Sequence, residues 1–190
     1  MNYEKSIETL KLSDLCEQKP ERPGWSLTFG AACSEAAAVC LEEQKHSERM
    51  SLQVSGIRTY QINIVRDEVD DTMRRFNADR EVATEYGAYG IAALVMPFLT
   101  NLTVIERSVK GRGFGFDFWL GDVETKEPGV FQRKARLEVA GIRQGSASNV
   151  RARVKVKLKQ ISPSDEVAPG YVAVIEFGMP QALVVEKCRL

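Results

Sequence analysis

A long apolar segment near the middle of the chain most constrains how this sequence can fold. Residues 81–99, EVATEYGAYGIAALVMPFL, have the composition of a helix, and their apolar side chains are too dense to cover only one face. We therefore expect a largely buried helix that bends or ends near Pro97 and is covered by other elements. Glu85 lies near its start, where the helix dipole favours a carboxylate.

The segments that follow predict the strands that cover this helix. TVIERS is typical of an edge strand, FGFDFWLG and FQRKARLEVAG of two further strands, and YVAVI of a central strand. Strict alternation in FGFDFWLG puts these residues on one face: Phe114, Phe116, Phe118 and Leu120. Asp117 lies on the other face. An acid in so aromatic a strand is costly unless it is paired or binds a metal, so Asp117 is the most anomalous polar residue of the chain.

The strand FQRKARLEVAG carries a row of polar side chains at two-residue intervals: Gln132, Lys134, Arg136 and Glu138. All four point to the same face of a sheet. Lys134 and Glu138 are then roughly 13 Å apart along the strand. A hairpin symmetric about Thr125 places Asp117 near Arg133, whereas an asymmetric loop shifts this pairing by several residues. Glu138 is slightly preferred as the partner of Asp117 because it is the sole acid in this region.

Residues 150–161, VRARVKVKLKQI, fit both a helix and a strand. As a strand, basic and apolar residues alternate; as a helix, a core stripe forms from Val150, Val154, Leu158 and Ile161. Ser148 or Asn149 offers a helix N-cap before this segment. The cap and the absence of aromatic residues favour the helix.

The rest of the chain completes an α/β prediction with a mixed central sheet flanked by helices. Residues 26–44 are typical of an alanine-rich helix, and SLQVSG with TYQINIV predicts a β-hairpin around Gly56. We divide the chain into residues 1–79, an N-terminal helix and hairpin elaboration packed on the core, and residues 80–190, the core itself.

Composition narrows the chemistry that the chain can perform. The four cysteines form no C-x-x-C pair, and the one histidine, His46, has no cysteine beside it, so a zinc site or a histidine-based nucleophile is not expected. Carboxylates, lysines and a hard metal remain. No run of 18 apolar residues and no signal-peptide pattern occurs, so we expect a cytoplasmic protein without a membrane span.

Positive charge is concentrated in one part of a chain whose formal net charge is zero. Residues 131–160 contain one acid, Glu138, and nine basic residues: Arg133, Lys134, Arg136, Arg143, Arg151, Arg153, Lys155, Lys157 and Lys159. This asymmetry predicts an anionic partner for one face; the alternative is an ordinary solvated surface.

The order of these elements resembles the PD-(D/E)XK, or restriction-endonuclease-like, nuclease superfamily. That superfamily has a core of one helix, three strands, a helix and a strand, and the likeness covers about residues 80–178. The resemblance implies that Asp117 and Glu138 bind Mg²⁺ or Mn²⁺, with Glu85 as a further acid on the first helix. Phe116 replaces the proline that often precedes the aspartate.

The sequence departs from the superfamily pattern at Ala140, where the resemblance implies a catalytic lysine. Gln132 and Lys134 could act as the functional pair instead, or the lysine could come from the following helix, with Lys155 the preferred candidate. The third interpretation is an inactive site.

The resemblance implies a Mg²⁺-dependent nuclease, or a nuclease-like subunit, acting on DNA in a bacterial restriction, repair or defence system. Four residues are predicted to contact nucleic-acid phosphates: Arg143, Arg151, Lys155 and Lys159. A homodimer or a partner protein of a multi-subunit system would fit this function. The alternatives are a non-catalytic subunit that keeps the fold and binds nucleic acid or protein, and a structural protein with a solvated basic helix.

Overall fold

The computed structural model describes residues 8–19, 22, 24–109, 115–123 and 133–187, and within these ranges it has four helices and eight strands. The helices are α1 (Leu27–Glu43), α2 (Asp71–Phe76), α3 (Arg80–Thr100) and α4 (Ala147–Gln160). The strands are β1 (Thr9–Lys11), β2 (Arg49–Gly56), β3 (Tyr60–Val65), β4 (Leu102–Arg107), β5 (Phe118–Asp122), β6 (Ala135–Ile142), β7 (Gly170–Glu176) and β8 (Gln181–Lys187). Short 3₁₀ turns occupy Leu12–Cys16 and Ser162–Ser164.

All eight strands form one mixed sheet in the order β1-β3-β2-β8-β7-β6-β5-β4. The predicted α/β class with a mixed sheet is confirmed, as are β4 at an edge and β7 in the interior. β6 and β7 are parallel and connected through α4, whereas β4, β5 and β6 are antiparallel neighbours. α4 packs on one face of the sheet, and α1 and α3 pack on the other. The two faces therefore contribute to separate cores.

Helix α3 is the centre of the larger core, as its apolar density predicts. It is long and apolar enough to cross a membrane by length and composition, but it is mostly buried inside the protein, which is consistent with a soluble fold. Asp79 caps its first turn by accepting hydrogen bonds from Glu81 N and Val82 N. The helix passes through Pro97 and ends at Thr100, and its C-cap Asn101 has a left-handed backbone with φ of 58°.

Helix α4 resolves the ambiguity of residues 150–161 in favour of a helix. Val150, Val154 and Ile161 are buried on its sheet-facing side, as the predicted stripe requires. The N-cap is Ser146 and not Ser148 or Asn149. Ser146 Oγ accepts from Asn149 N while Asn149 Oδ1 accepts from Ser146 N, so the two residues form a reciprocal capping box.

The N-terminal elements share the sheet and the core with the rest of the chain. The predicted helix and hairpin are present as α1 and the β2–β3 pair. α1 packs on α3, and β2 pairs in parallel with β8, so the hairpin extends the sheet. The division between residues 79 and 80 stays a prediction about domain organisation.

The predicted alternation in FGFDFWLG holds only from Phe118 onward. Phe118 and Leu120 belong to the core under α1 and α3, as expected. Phe116 instead packs against Trp119 in the core under α4, with ring centroids 4.8 Å apart, so its predicted face is wrong. The reason is that the regular strand begins at Phe118, and the two-residue period does not extend back to Phe116. Phe114 lies outside the described residues.

Candidate active site

A cleft of about 810 Å³ opens between the first half of α3, the end of β6 and the second half of α4. Its lining combines charges of both signs. Four acids line it: Glu81, Glu85, Asp117 and Glu138. Four cations line it as well: Arg80, Arg143, Arg153 and Lys157.

Glycines allow the elements around the cleft to approach closely. A Cβ at Gly141 of β6 would lie 2.4 Å from Thr84 O of α3, so only glycine permits this crossing. Gly115 has φ of +60°, and a Cβ there would lie 2.3 Å from Gln160 O at the end of α4. Both contacts hold the helices against the strand ends that carry the acids.

The register of β5 and β6 brings Asp117 and Glu138 together. Phe118 pairs with Leu137, and Asp117 N donates to Leu137 O at 2.9 Å. The loop is therefore not symmetric about Thr125, and Asp117 lies beside Glu138 instead of Arg133. The symmetric register predicted from the sequence is therefore not observed, whereas the slight preference for Glu138 as the neighbour of Asp117 agrees with the structure.

Asp117 is 5% exposed and firmly held. Its Oδ2 accepts a hydrogen bond from Val139 N at 2.9 Å, and its Oδ1 accepts from Tyr89 Oη at 2.9 Å. Tyr89 lies one turn after Glu85 on α3, and its hydroxyl also contacts Glu85 Oε1. Glu85 is thus connected to Asp117 through one tyrosine hydroxyl.

The Tyr89 hydroxyl carries one proton between two carboxyl groups. Burial and the neighbouring acids raise the pKa of Tyr89 well above its ordinary value, so the hydroxyl remains protonated. The hydroxyl has one hydrogen and contacts two carboxyl groups, so it connects Glu85 and Asp117 without neutralising either.

Glu138 is 1% exposed, and its two carboxylate oxygens differ in their hydrogen-bond partners. Its Oε1 accepts from Lys157 Nζ and, at 2.9 Å, from Gln160 Nε2, both on α4. Its Oε2 receives no hydrogen bond from any donor in the described part of the chain. Burial and the charge of Asp117 raise the pKa of Glu138 to about 8 despite the ion pair with Lys157.

The lysine that reaches the acids is Lys157, not the predicted Lys155. Lys155 is exposed and does not line the cleft. Ala140 belongs to the core under α4 and also lines the cleft. Lys134 is bonded to Asp122 at the exposed end of the strand and is absent from the lining. Gln132 lies outside the described residues.

The predicted phosphate-binding residues divide into two groups. Arg143 lines the cleft, whereas Arg151, Lys155 and Lys159 are exposed on α4 away from it. Arg153, which sequence reasoning missed, lines the cleft together with Lys157. The spacing of four residues between them places both on one helix face, and this was the available signal.

The acid pair fits a hard divalent cation. Within the described ranges, no group of three or more His, Cys, Asp or Glu side chains is arranged to hold a metal ion. Mg²⁺, however, is often held by one or two carboxylates, with water and substrate phosphate completing its shell. Asp117 and Glu138 could supply such a pair. Oε2 of buried Glu138 accepts no hydrogen bond from the described residues and is therefore available to coordinate a cation.

Comparison with known proteins adds no relative to this geometry. No protein-family model, curated protein or solved structure matches the chain. The function is therefore inferred from the chemistry of the cleft.

Proposed function

We propose that the protein is a Mg²⁺-dependent nuclease that cleaves phosphodiester bonds of DNA in a bacterial restriction, repair or defence system, alone, as a homodimer or with a partner subunit. The observation that carries the proposal is the buried pair of Asp117 and Glu138 with Lys157 bonded to Glu138. A buried acid with a raised pKa in an open cleft, such as Glu138, is typical of a functional site.

The element order supports the resemblance to the PD-(D/E)XK superfamily. α3, β4, β5, β6, α4 and β7 follow one another as a helix, three strands, a helix and a strand. Glu85, Asp117 and Glu138 lie on the first helix, at the start of the second strand and on the third strand. We propose that Lys157 replaces the lysine that the superfamily pattern expects at Ala140.

Each side chain has a role that its contacts support. Asp117 and Glu138 would hold the metal, which when bound supplies a Lewis acid and lowers the pKa of water. Lys157 would place its ammonium group next to the negative charge that develops on the phosphate. Tyr89 would orient the carboxyl of Asp117 through its hydrogen bond, as outer hydrogen bonds to metal ligands do.

The test is cleavage of plasmid and linear DNA with and without Mg²⁺ or Mn²⁺. We expect metal-dependent cleavage that Asp117→Ala lowers by at least about a thousandfold, because the metal loses a ligand. Asp122→Ala is the matched control. This acid lies at the other end of β5, is partly exposed and pairs with Lys134, so its loss should leave cleavage unchanged.

Two outcomes would contradict the proposal. Cleavage that survives Asp117→Ala would place the active site elsewhere. Absence of cleavage together with a gel shift of DNA would favour the non-catalytic binding subunit.

A further inference from the structure

A second groove, of about 420 Å³, continues from the cleft along the first half of α4. It lies between the end of β6 and the helix. Its lining residues are Ile142, Gln144, Asn149, Ala152, Arg153 and Val156. Ile142 and Arg153 line both the cleft and this groove, so the two spaces join at these side chains.

The chemistry of the groove differs from that of the cleft. The cleft carries four acids, whereas the residues that line the groove include no carboxylate. Arg153 is exposed and forms no ion pair with any described residue. Gln144 and Asn149 add amide groups, and Val156, 59% exposed, offers an apolar surface. A cation, amides and an apolar surface are what a phosphate, a sugar and a base require from a protein.

Arg143 lines the cleft but not the groove. Its side chain is 11% exposed, and its Nη2 donates to Arg80 O at 3.2 Å while its Nη1 forms an ion pair with Glu43 Oε2 at 3.6 Å. Arg143 is therefore held against α1 and α3, and Arg153 is the cation that the cleft and the groove share.

Two cations and an amide form a row along α4 that leads away from the acids. Lys157 contacts Glu138, and Arg153 lies one turn earlier, about 6 Å along the axis. Asn149 lies a further turn toward the start of α4. The three side chains form a row that starts at the acids and ends in the groove.

We propose that this groove binds the strand of a polynucleotide next to the bond that is cleaved, with Arg153 on its phosphates. This inference rests on the proposed function of the cleft and adds the surface that holds the substrate strand beside the cleaved bond. The strand enters the cleft between Ile142 and Arg153. The outward cations Arg151, Lys155 and Lys159 then contribute only general attraction.

Arg153→Ala and Arg151→Ala test the groove as a matched pair. Both arginines are exposed on α4 two residues apart, and alanine is a better helix former, so neither change should unfold the protein. Binding of a fluorescent oligonucleotide is measured without divalent metal over a range of salt concentrations. Cleavage of the same oligonucleotide and of bis(4-nitrophenyl) phosphate is measured with Mg²⁺.

We expect Arg153→Ala to weaken oligonucleotide binding about tenfold and to reduce the salt dependence by about one ion. Arg151→Ala should change binding by less than about twofold, as an outward charge does. Cleavage of the oligonucleotide should fall more with Arg153→Ala than hydrolysis of the small diester, which does not reach the groove.

The possible failures are distinguishable. Equal effects of the two substitutions on binding would contradict the proposal that the groove binds a strand. Equal loss of both substrates with Arg153→Ala would place this arginine at the reacting phosphate and would also overturn it. If neither substrate is cleaved by the unsubstituted protein, the proposed hydrolysis fails, while the comparison of binding still decides whether the groove takes a strand.

Discussion

Two charged side chains on the same face of β6, Arg136 and Glu138, are each 1% exposed but have opposite surroundings. Arg136 is fully bonded. It donates to Ala168 O at 2.8 Å and Ile161 O at 2.9 Å, to Ser164 Oγ, and to Asp165 Oδ1 at 3.1 Å. These acceptors all belong to the segment that connects α4 to β7, so Arg136 fixes this connection to the sheet.

Glu138 lies two residues further along and is incompletely satisfied. One oxygen contacts Lys157 and Gln160, the other has no donor among the described residues, and its neighbour Asp117 carries like charge. The comparison teaches how to separate two kinds of buried charge. A charge whose bonds are all made inside the protein stabilises the fold, and one left open at a cleft is available to a ligand.

Removal of Arg136 should give the largest effect on stability. Arg136→Ala leaves buried acceptors without donors, and we expect the free energy of unfolding to fall by about 3 to 5 kcal/mol. Arg133→Ala is the control, because it removes an exposed ion pair with Glu106 just before β6. It should lower the free energy of unfolding by less than about 1 kcal/mol. Urea unfolding of both variants measures the difference. A loss below about 1 kcal/mol for Arg136→Ala would remove the contrast with Glu138.

Removal of Lys157 should mainly affect cleavage. Lys157→Ala withdraws the ammonium group from Glu138, and we expect the cleavage rate to drop by about a hundredfold to a thousandfold. Lys155→Ala removes an exposed charge two residues away on the same helix and should change the rate by less than about twofold. Single-turnover cleavage with saturating Mg²⁺ separates this loss from weaker DNA binding. Equal rates for the two variants would return Lys155 to consideration.

Removal of the Tyr89 hydroxyl should weaken Mg²⁺ binding without abolishing cleavage. Tyr89→Phe removes the hydrogen bond to Asp117, and we expect the Mg²⁺ concentration for half-maximal cleavage to rise about tenfold to a hundredfold. Tyr86→Phe is the control, because Tyr86 lies on the same helix and contacts Phe29 edge-to-face. A loss of maximal rate with unchanged Mg²⁺ dependence would show that Tyr89 does not act through the metal ligands.

The pH dependence of stability should distinguish Glu138 from a satisfied charge. The pKa of Glu138 is about 8 in the folded protein against 4.5 in the unfolded chain, so the folded state holds a proton between these values that the unfolded state has lost. Stability therefore falls as pH rises from about 5 to 8 and is level above that range.

We expect this decline to amount to several kcal/mol, because the folded-state pKa of about 8 already includes the favourable effect of Lys157. Glu138→Gln, which cannot ionise, should lack the decline and should be the more stable protein at pH 8. Urea unfolding at intervals from pH 5 to pH 8.5 provides the measurement. Parallel profiles for the two proteins would mean that Glu138 is ionised throughout.

The acids of the site could be predicted from the sequence, but the lysine could not. Asp117 is marked by its aromatic strand, and Glu138 by its isolation among cations. Lys155 and Lys157 flank the core stripe of α4 on opposite sides, next to Val154 and Leu158. Which flank faces the acids depends on how the helix crosses the sheet, and a single sequence does not specify that crossing.

Local patterns also predicted most elements while missing what depends on distant partners. The period of residues 131–141 places Arg136 and Glu138 on one face, as observed. It does not reveal that carbonyls near residues 161–168 surround the arginine. The β5–β6 register, which pairs Phe118 with Leu137, likewise does not follow from the pattern of either strand alone.

The parallel pairing of β2 with β8 has a consequence for how the chain is made. Gln53 to Gly56 pair with Gln181 to Val184, so strands far apart in sequence must meet before the sheet is continuous. Such distant contacts close slowly, and a ribosome makes the chain from its N-terminus. The β2–β3 hairpin therefore emerges early with an unpaired edge, and a nascent chain stalled before residue 181 should be a good substrate for chaperones.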